Sequence, residues 1–443
     1  MRIVTPSDLQ VLGTSTDEQL RRARSAESLE ELQLNWTFVL STLVGFSLLS
    51  VLPGTLGLFI KPLTDEFGWS RTLISSGYAC STIVTGLLSP FFGVVIDRYG
   101  SRRVALPGIL LVTLLIASFS FVSGSTVQWM FLWGLYGLIA LSTKTTVWTA
   151  AVAGVFKKAQ GLAIGITLCG AGAAPIVLLP VTNLCIERLG WRMSYAIIGL
   201  GWGGATLFIC WLFLFDAHSR HAAAASKNSS RLQPAAYQRP IFSGLSIADA
   251  WKSSALWRIA ISTLIVMLLT IGFQIHQIEI LGEAGVSRNY AALLASLAAV
   301  AAIAGKLVTG HILDRYAPNW AGGLTLTATA FAFGLLVKGV HTPALVIFAM
   351  VVNGYTFGTN LQICSFLTVL YAGMRNYGAI FGFMSSLIAI GSGLGPLIAG
   401  YTYDVSGGYE LFLMIGTVGS VVSGILIFTL PSNPSFDSRA TVG

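Results

Sequence analysis

The sequence predicts an all-α membrane protein in which twelve transmembrane helices form two pseudo-symmetric six-helix bundles. Composition is the first reason, because 54% of the residues are hydrophobic and 10% are charged, against roughly 25% charged residues in ordinary soluble domains. The second reason is that the apolar residues form long segments, and the third is a motif repeated in the two halves. So few charges could not cover the surface of a soluble fold of this length, so we expect helices that cross a bilayer.

Twelve apolar segments are long enough for a helix to cross a hydrocarbon core of about 30 Å. In the first half they cover residues 36–60, 73–96, 104–122, 128–156, 161–186 and 193–215. In the second half they cover residues 255–281, 290–313, 322–340, 344–371, 377–403 and 411–430. The polar stretch between the halves, rich in Ala, Ser and Arg, is the one long connection in the sequence.

The segments divide the chain into five predicted parts. The first 34 residues are polar and mixed in charge, so we expect no cleavable signal peptide. The parts are an N-terminal cytoplasmic segment (1–34), a first bundle (35–215), a central cytoplasmic loop (216–254), a second bundle (255–430) and a cytoplasmic tail (431–443).

Lysine and arginine set the expected orientation, since cytoplasmic loops of membrane proteins carry an excess of both. With the N-terminus inside, the inner connections and chain ends carry eighteen of these residues and the outer connections carry six. We therefore expect a multi-pass protein of the plasma membrane, the inner membrane in a bacterium, with both termini and the central loop in the cytoplasm.

Several classes of protein are not expected. The net charge of +8 comes from basic residues on alternate loops, which is typical of membrane topology and not of a nucleic-acid site. The five cysteines lie inside apolar segments without metal-ligand spacing, so they are interpreted as buried thiols. The sequence has no nucleotide-binding loop and no Ser-His-Asp set beside the spans. We therefore do not expect the protein to be an enzyme or to bind a metal, a cofactor or a nucleic acid. We expect it to be a monomer in the lipid bilayer.

The repeated motif is a short polar connection that follows an apolar segment in each half. Residues 93–103 are GVVIDRYGSRR, and residues 310–316, about half the chain length further on, are GHILDRY. The same Gly-x-x-x-Asp-Arg-Tyr pattern at the same relative place indicates an internal duplication. In a membrane protein such a duplication is typical of transporters.

Two lysines lie deep inside apolar segments, Lys144 in the fourth and Lys306 in the eighth. A rise of about 1.5 Å per helical residue places both near mid-membrane, where a lone lysine costs about 3 kcal/mol or more. Each must face an aqueous cavity, find a partner on another helix or lose its proton. We interpret both as lining a central cavity that binds an organic carboxylate. The alternative is that each donates to backbone carbonyls and stabilises helix packing.

Uncharged polar side chains inside the segments could orient a ligand in such a cavity. Any one of them could instead join two helices through a hydrogen bond. The candidates are Tyr78, Asn353, Tyr355, Asn360 and Ser385.

His276 lies late in the seventh segment, near Gln274, Gln277 and Glu279. A histidine titrates near neutral pH, so His276 could couple substrate movement to proton entry. It could equally be a histidine of the outer rim that bonds to a neighbour. No carboxylate is expected to be buried in a span. Coupling would then use His276, deprotonation of a lysine, or exchange of one anion for another.

The chain resembles the major facilitator superfamily over about residues 36–430, in its twelve segments, its long central loop and both copies of the motif. The resemblance implies a cytoplasmic latch in which Asp97 accepts hydrogen bonds near the start of the eleventh helix. Arg98 or Arg102 would then pair with acids across the halves. A plain turn that obeys the positive-inside rule is the alternative. The expected gating residues are Gly93, Asp97, Arg98, Gly100, Arg102, Arg103, Asp314 and Arg315.

Within that superfamily the chain resembles the monocarboxylate-transporter and oxalate–formate-exchanger branch. The similarity lies in residues 59–71 (FIKPLTDEFGWSR), in residues 276–287, and in Lys306 four residues before Gly310. In that branch a basic residue at this place meets the substrate carboxylate. Ala302 stands where relatives have an acid one turn before the cation, so the identity of the anion stays open.

The expected function is therefore secondary active transport of a small organic anion, a mono- or dicarboxylate, by alternating access. Proton symport and anion exchange are both open as coupling modes. The alternative is a drug or cation efflux antiporter of the same fold. Its usual Gly-Pro-x-x-Gly-Gly signal has only a faint likeness in residues 170–175 (GAGAAP), and two buried cations repel a cationic substrate.

Overall fold

The computed structural model describes residues 27, 29–156, 159–215, 244–337, 342–373 and 375–431. Within the helices it does not describe the side chains at positions 90, 91, 93, 94, 97, 153, 161, 310, 311, 314, 315, 377 and 378. Most of the predicted N-terminal segment, central loop and tail therefore lies outside the described residues. The bounds of the five predicted parts stay predictions.

Six helical spans, numbered 1 to 6 in chain order, build the first half. Spans 5 and 6 together form Gln160–Ile197, which turns at Gly190 (φ 81°), and span 6 continues through a π-helical turn, Ile198–Gly203, into Gly204–Phe213. The other four are span 1 (Trp36–Ser47, a 3₁₀ turn at Leu48–Ser50, and Val51–Phe67), span 2 (Arg71–Tyr99), span 3 (Ser101–Ser118) and span 4 (Thr126–Ile139, a 3₁₀ turn at Ala140–Thr143, and Thr145–Val155).

The second half follows a short helix, Ile247–Lys252, and its six spans are continuous α-helices in the part of the chain that is described. They are span 7 (Ser254–Glu283), span 8 (Arg288–Arg315), span 9 (Pro318–Leu336), span 10 (Pro343–Ala372), span 11 (Tyr377–Ser406) and span 12 (Glu410–Phe428).

This arrangement confirms the predicted all-α membrane architecture. Eight helical stretches among the described residues are long and apolar enough to cross a membrane, and one of them, Leu162–Phe213, covers spans 5 and 6. Local sequence signals begin several helices. Serine hydroxyls at Ser70, Ser125 and Ser253 each accept a backbone N–H three residues further on, which satisfies a donor that the first helical turn leaves free.

The two faces of the molecule are named here by chain order. The proximal face carries the connections after even-numbered spans, and the distal face carries those after odd-numbered spans. The halves pack against each other through spans 2 and 11 and through spans 5 and 8. At the distal end of the first pair, a Cβ added to Gly400 would lie 2.9 Å from the Arg71 backbone, so only glycine permits this approach.

Candidate functional site

A cavity of about 280 Å³ lies between the two halves, roughly midway along the spans. Spans 1, 2 and 5 line it from the first half, and spans 7, 8 and 10 line it from the second half. Small residues such as Gly54, Gly172 and Ala302 leave space for it, and larger apolar side chains such as Ile271 and Phe357 form much of its wall. The cavity is therefore a mostly apolar chamber shared by both bundles.

Lys306 is the one charged residue among the described side chains that line this cavity. Its ammonium makes no hydrogen bond or ion pair with another described residue, which is costly at mid-membrane unless water or a ligand solvates the charge. Tyr78 and Asn353 also line the wall, from span 2 and span 10. Asn353 is 4% exposed, and its Oδ1 lacks a hydrogen-bond partner among the described residues. These three predicted residues are brought together around one space.

Lys144 is placed differently. It stands in a break of span 4, between the 3₁₀ turn that ends at Thr143 and the helix that begins at Thr145, with an extended backbone (ψ 162°). Its Nζ donates to Ser89 Oγ of span 2 at 3.0 Å, and Lys144 is not among the residues that line the cavity. In this state the ammonium has a partner within its own half, which matches the alternative of a packing role.

Three further candidates also lie away from the cavity wall. The hydroxyl of Tyr355 is 2.7 Å from Thr309 Oγ1 and joins spans 8 and 10. The amide of Asn360 is buried and donates to Thr270 Oγ1 at 3.3 Å. Ser385 is exposed on span 11. The first two act as helix–helix contacts in this structure, and none of the three faces the cavity.

His276 is completely buried and lies where the halves meet on the distal side of the cavity. Its Nε2 is 3.0 Å from the Pro396 carbonyl oxygen and 3.0 Å from Ser75 Oγ, and its Nδ1 is 2.7 Å from the Tyr409 hydroxyl. Because a carbonyl can only accept, Nε2 carries a hydrogen and donates to Pro396, while Nδ1 can accept from Tyr409. His276 is not among the residues that line the cavity, although Gln277 beside it lines the wall.

The expectation that no carboxylate is buried in a span is wrong. Glu279 of span 7 has a side chain only 12% exposed, and its Oε2 lies 3.2 Å from Nη2 of Arg71, whose side chain is 14% exposed. By sequence, Arg71 counts as an outer-loop charge. The sequence carried one signal for this pair, namely that both residues lie near the distal ends of their spans and therefore at a similar depth in the membrane. Gln274 and Gln277, which stand beside His276 in sequence, were also missed as lining residues.

The repeated motif of residues 93–103 and 310–316, at the proximal ends of spans 2 and 8, is described only in part. Gly100 has φ 82°, and its N–H donates to the Ile96 carbonyl at 2.9 Å where span 2 ends. Arg102 donates to the Trp211 carbonyl at 3.0 Å, within its own half, and among the described residues it has no pairing with an acid of the other half. Arg98 lies 5.6 Å from the Tyr99 ring centre, and both Arg98 and Arg103 are exposed. The structure does not describe the surroundings of Gly93 or the side chains of Asp97, Asp314 and Arg315. Their gating roles therefore stay predictions.

Two six-helix bundles around a central cavity are the arrangement of a membrane transporter, with the substrate site between the halves. The family model for the Major Facilitator Superfamily matches residues 37–281 and 260–441. The chain belongs to this superfamily, and it is a secondary transporter and not an enzyme.

Relatives of known sequence agree with this assignment. Monocarboxylate transporter 13 of Rattus norvegicus is 24% identical over 89% of this chain and 89% of its own length. Monocarboxylate transporter 12 of Homo sapiens is 24% identical over 78% of this chain and 70% of its own. An uncharacterized MFS-type transporter of Bacillus subtilis (strain 168) is 23% identical over 89% and 94%.

Solved structures support the fold alone. The nucleoside transporter NupG superposes with a TM-score of 0.69 at 16% identity, covering 90% of this chain and 98% of its own. A bacterial homolog of the human lysosomal transporter Spinster, in an inward-facing and unoccupied conformation, gives a TM-score of 0.60 at 15% identity over 88% and 94%.

Proposed function

We propose that the protein transports a small organic anion whose carboxylate binds Lys306 in the central cavity. The observation that carries this proposal is the wall itself, which holds one cation and no acid among its described residues. An ammonium without a partner among the described residues, in a low-dielectric chamber, attracts an anion strongly, because charge interactions are strengthened where water is scarce. A cationic drug would be repelled by the positive charge of Lys306. None of the described residues on the wall therefore supports the efflux alternative.

The wall favours a monocarboxylate over a dicarboxylate. One lysine can neutralise one carboxylate, and the remaining polar groups of the wall are uncharged: Ser50, Tyr78, Gln274, Gln277 and Asn353. A second carboxylate would have to leave water without a cationic partner, which is costly. The apolar surface of the same chamber suits the hydrocarbon part of a monocarboxylate. The names of two relatives, monocarboxylate transporters 12 and 13, agree with this choice.

Uptake into proteoliposomes by the purified protein tests this proposal. We expect saturable uptake of at least one labelled monocarboxylate from a panel of increasing chain length, with weaker or no uptake of the matching dicarboxylates. Empty liposomes and an unlabelled cationic dye as competitor serve as controls. Uptake of cations with no uptake of any anion would reverse the assignment.

Coupling is proposed to be either proton symport through His276 or exchange of two anions. If His276 carries the coupled proton, uptake should rise when the distal side is made more acidic, and His276→Gln should remove that dependence. Because His276 is completely buried where the two halves meet on the distal side, proton transfer would occur only when the distal contacts open. The measurement is initial uptake at two distal pH values, with and without internal anion. Uptake that is independent of pH but requires internal anion would assign exchange instead.

The orientation proposed from sequence places the proximal face in the cytoplasm and the distal face outside, in the plasma membrane. With that orientation, the structure is a state closed toward the outside, and the distal contacts described above form the outer closure.

A further inference from the structure

A second repeated motif lies at the distal ends of spans 2 and 8, away from the substrate site. It is Gly68-Trp-Ser-Arg71 in the first half and Gly285-Val-Ser-Arg288 in the second. The two copies are separated by the same number of residues as Gly93 and Gly310. The two glycines have positive φ values of 66° and 81°, a conformation that favours glycine. In each copy the arginine is the first residue of the span that follows.

Arg71 reaches from the first half into the second. Its guanidinium is 3.2 Å from Glu279 Oε2 and lies 3.5 Å from the centre of the Tyr403 ring. Its backbone N–H and that of Thr72 donate to the two carboxylate oxygens of Asp404 at 3.2 and 3.0 Å. Asp404 of span 11 thus caps the N-terminus of span 2, where a negative charge is favoured by the helix dipole. One arginine and its neighbour bind two acids and one aromatic ring across the halves.

Arg288 makes the reciprocal contacts, from the second half into the first. Its Nε donates to Asn183 Oδ1 at 3.0 Å, and its Nη2 donates to the carbonyl oxygen of Leu58. The next residue, Asn289, accepts a hydrogen bond from the amide of Asn183. The same amide also donates to Glu187 Oε1 at 3.1 Å.

The two sets of contacts follow the internal duplication. Arg71 and Thr72 of span 2 meet Asp404 of span 11, and Arg288 and Asn289 of span 8 meet a cluster that includes Glu187 of span 5. Asp404 lies as far beyond Glu187 in sequence as Arg288 lies beyond Arg71. A rocking motion that opens the distal face must separate spans 2 and 11 as well as spans 5 and 8, so it must break both sets.

We propose that Arg71 and Arg288 are a duplicated pair of latches that hold the distal side of the carrier closed. Arg71 is the stronger latch, because its described acceptors include two carboxylates and it stacks on a tyrosine ring, whereas the described acceptors of Arg288 are neutral. This inference rests on the fold and not on the identity of the substrate.

Labelling of a cavity cysteine from each face tests the latches without any substrate. Ala171, on the cavity wall, is replaced by cysteine in a variant whose five native cysteines are replaced by serine or alanine. A membrane-impermeant thiol reagent is then applied to sealed vesicles of both orientations. A Lys61→Cys variant, exposed on the distal face, identifies the compartment that this face adjoins.

We expect Arg71→Gln to raise the distal labelling rate relative to the proximal rate by about ten-fold, the change that 1.4 kcal/mol produces. Arg288→Gln should give a smaller rise, about three-fold on the same scale, and the double variant more than either. Arg188→Gln, which removes an exposed arginine of the same face, is the matched control and should leave the ratio unchanged.

The ratio is measured on folded protein only, since a collapsed cavity would lose labelling from both sides. If Arg71→Gln does not fold, Glu279→Gln removes the same ion pair from the other half and should raise the ratio in the same direction. A ratio equal to that of Arg188→Gln in the Arg71, Glu279 and Arg288 variants would overturn the proposal.

Discussion

Replacing Lys306 by glutamine is expected to lower kcat/KM for monocarboxylate uptake by at least about 30-fold. Truncating one partner of a desolvated charge pair costs about 2–5 kcal/mol, and 1.4 kcal/mol is a factor of ten. Lys306 is the one charge among the described residues of the cavity wall, so no neighbour on that wall can replace it. Initial rates of uptake over a range of substrate concentrations provide the measurement.

Two controls separate a binding role of Lys306 from a structural one. Lys306→Arg keeps the charge and should retain much of the activity. Lys144→Gln removes the other deep lysine, which donates to Ser89 and not into the cavity, and should have a much smaller effect on kcat/KM. Thermal unfolding in detergent should show Lys306→Gln to be as stable as the parent or more so, because an unpaired buried charge is costly. Full transport by Lys306→Gln would remove the anion assignment.

Replacing Gly358 by alanine is expected to destabilise the second half and to impair transport. A Cβ at this position of span 10 would lie 2.0 Å from the backbone oxygen of Ala302 on span 8, and backbone cannot move aside as a flexible side chain can. Overpacking of this kind typically costs 1–3 kcal/mol. Ala302 stands one helical turn before Lys306, so separating the two spans also displaces the lysine from the cavity wall. Thermal unfolding and uptake are the two measurements.

Gly165→Ala is the matched control for this substitution. Gly165 lies inside span 5, and an added Cβ would contact no described residue beyond its own stretch of helix within 4 Å. Alanine is favoured over glycine in a helix interior by up to about 1 kcal/mol, so the control should match or slightly exceed the stability of the parent protein. Equal unfolding temperatures for the two alanine variants would contradict the close packing of spans 8 and 10.

Most of the fold could be predicted because hydropathy and length alone determine where a chain crosses a bilayer. Where the chain is described, the predicted segments largely coincide with helices, and six spans lie on each side of the predicted central loop. What hydropathy could not give is the regularity of each helix. The break at Lys144 and the π-helical turn at Ile198–Gly203 are not visible in hydropathy, because the predicted apolar segments continue through both.

Only part of the candidate site could be predicted, for a geometric reason. Lys306 was identifiable because a lone lysine in an apolar segment is costly wherever it points. The side of the helix on which a residue lies is harder to predict, since an apolar helix in lipid has no strong polar stripe. Tyr355 and Ser385 were therefore indistinguishable from Asn353 by sequence, although only Asn353 of these three lines the cavity. The Arg71 contacts were missed because Glu279 and Asp404 lie in the other half of the chain.

The two halves share repeated motifs but differ in the regularity of their helices. Irregular turns interrupt spans 1, 4 and 6, whereas the described parts of their counterparts, spans 7, 10 and 12, are unbroken α-helices. A joint in a helix is where bending is easiest, because hydrogen bonds there are already missing or rearranged. When the carrier changes its open side, we therefore expect the first bundle to deform and the second to move as a rigid lever.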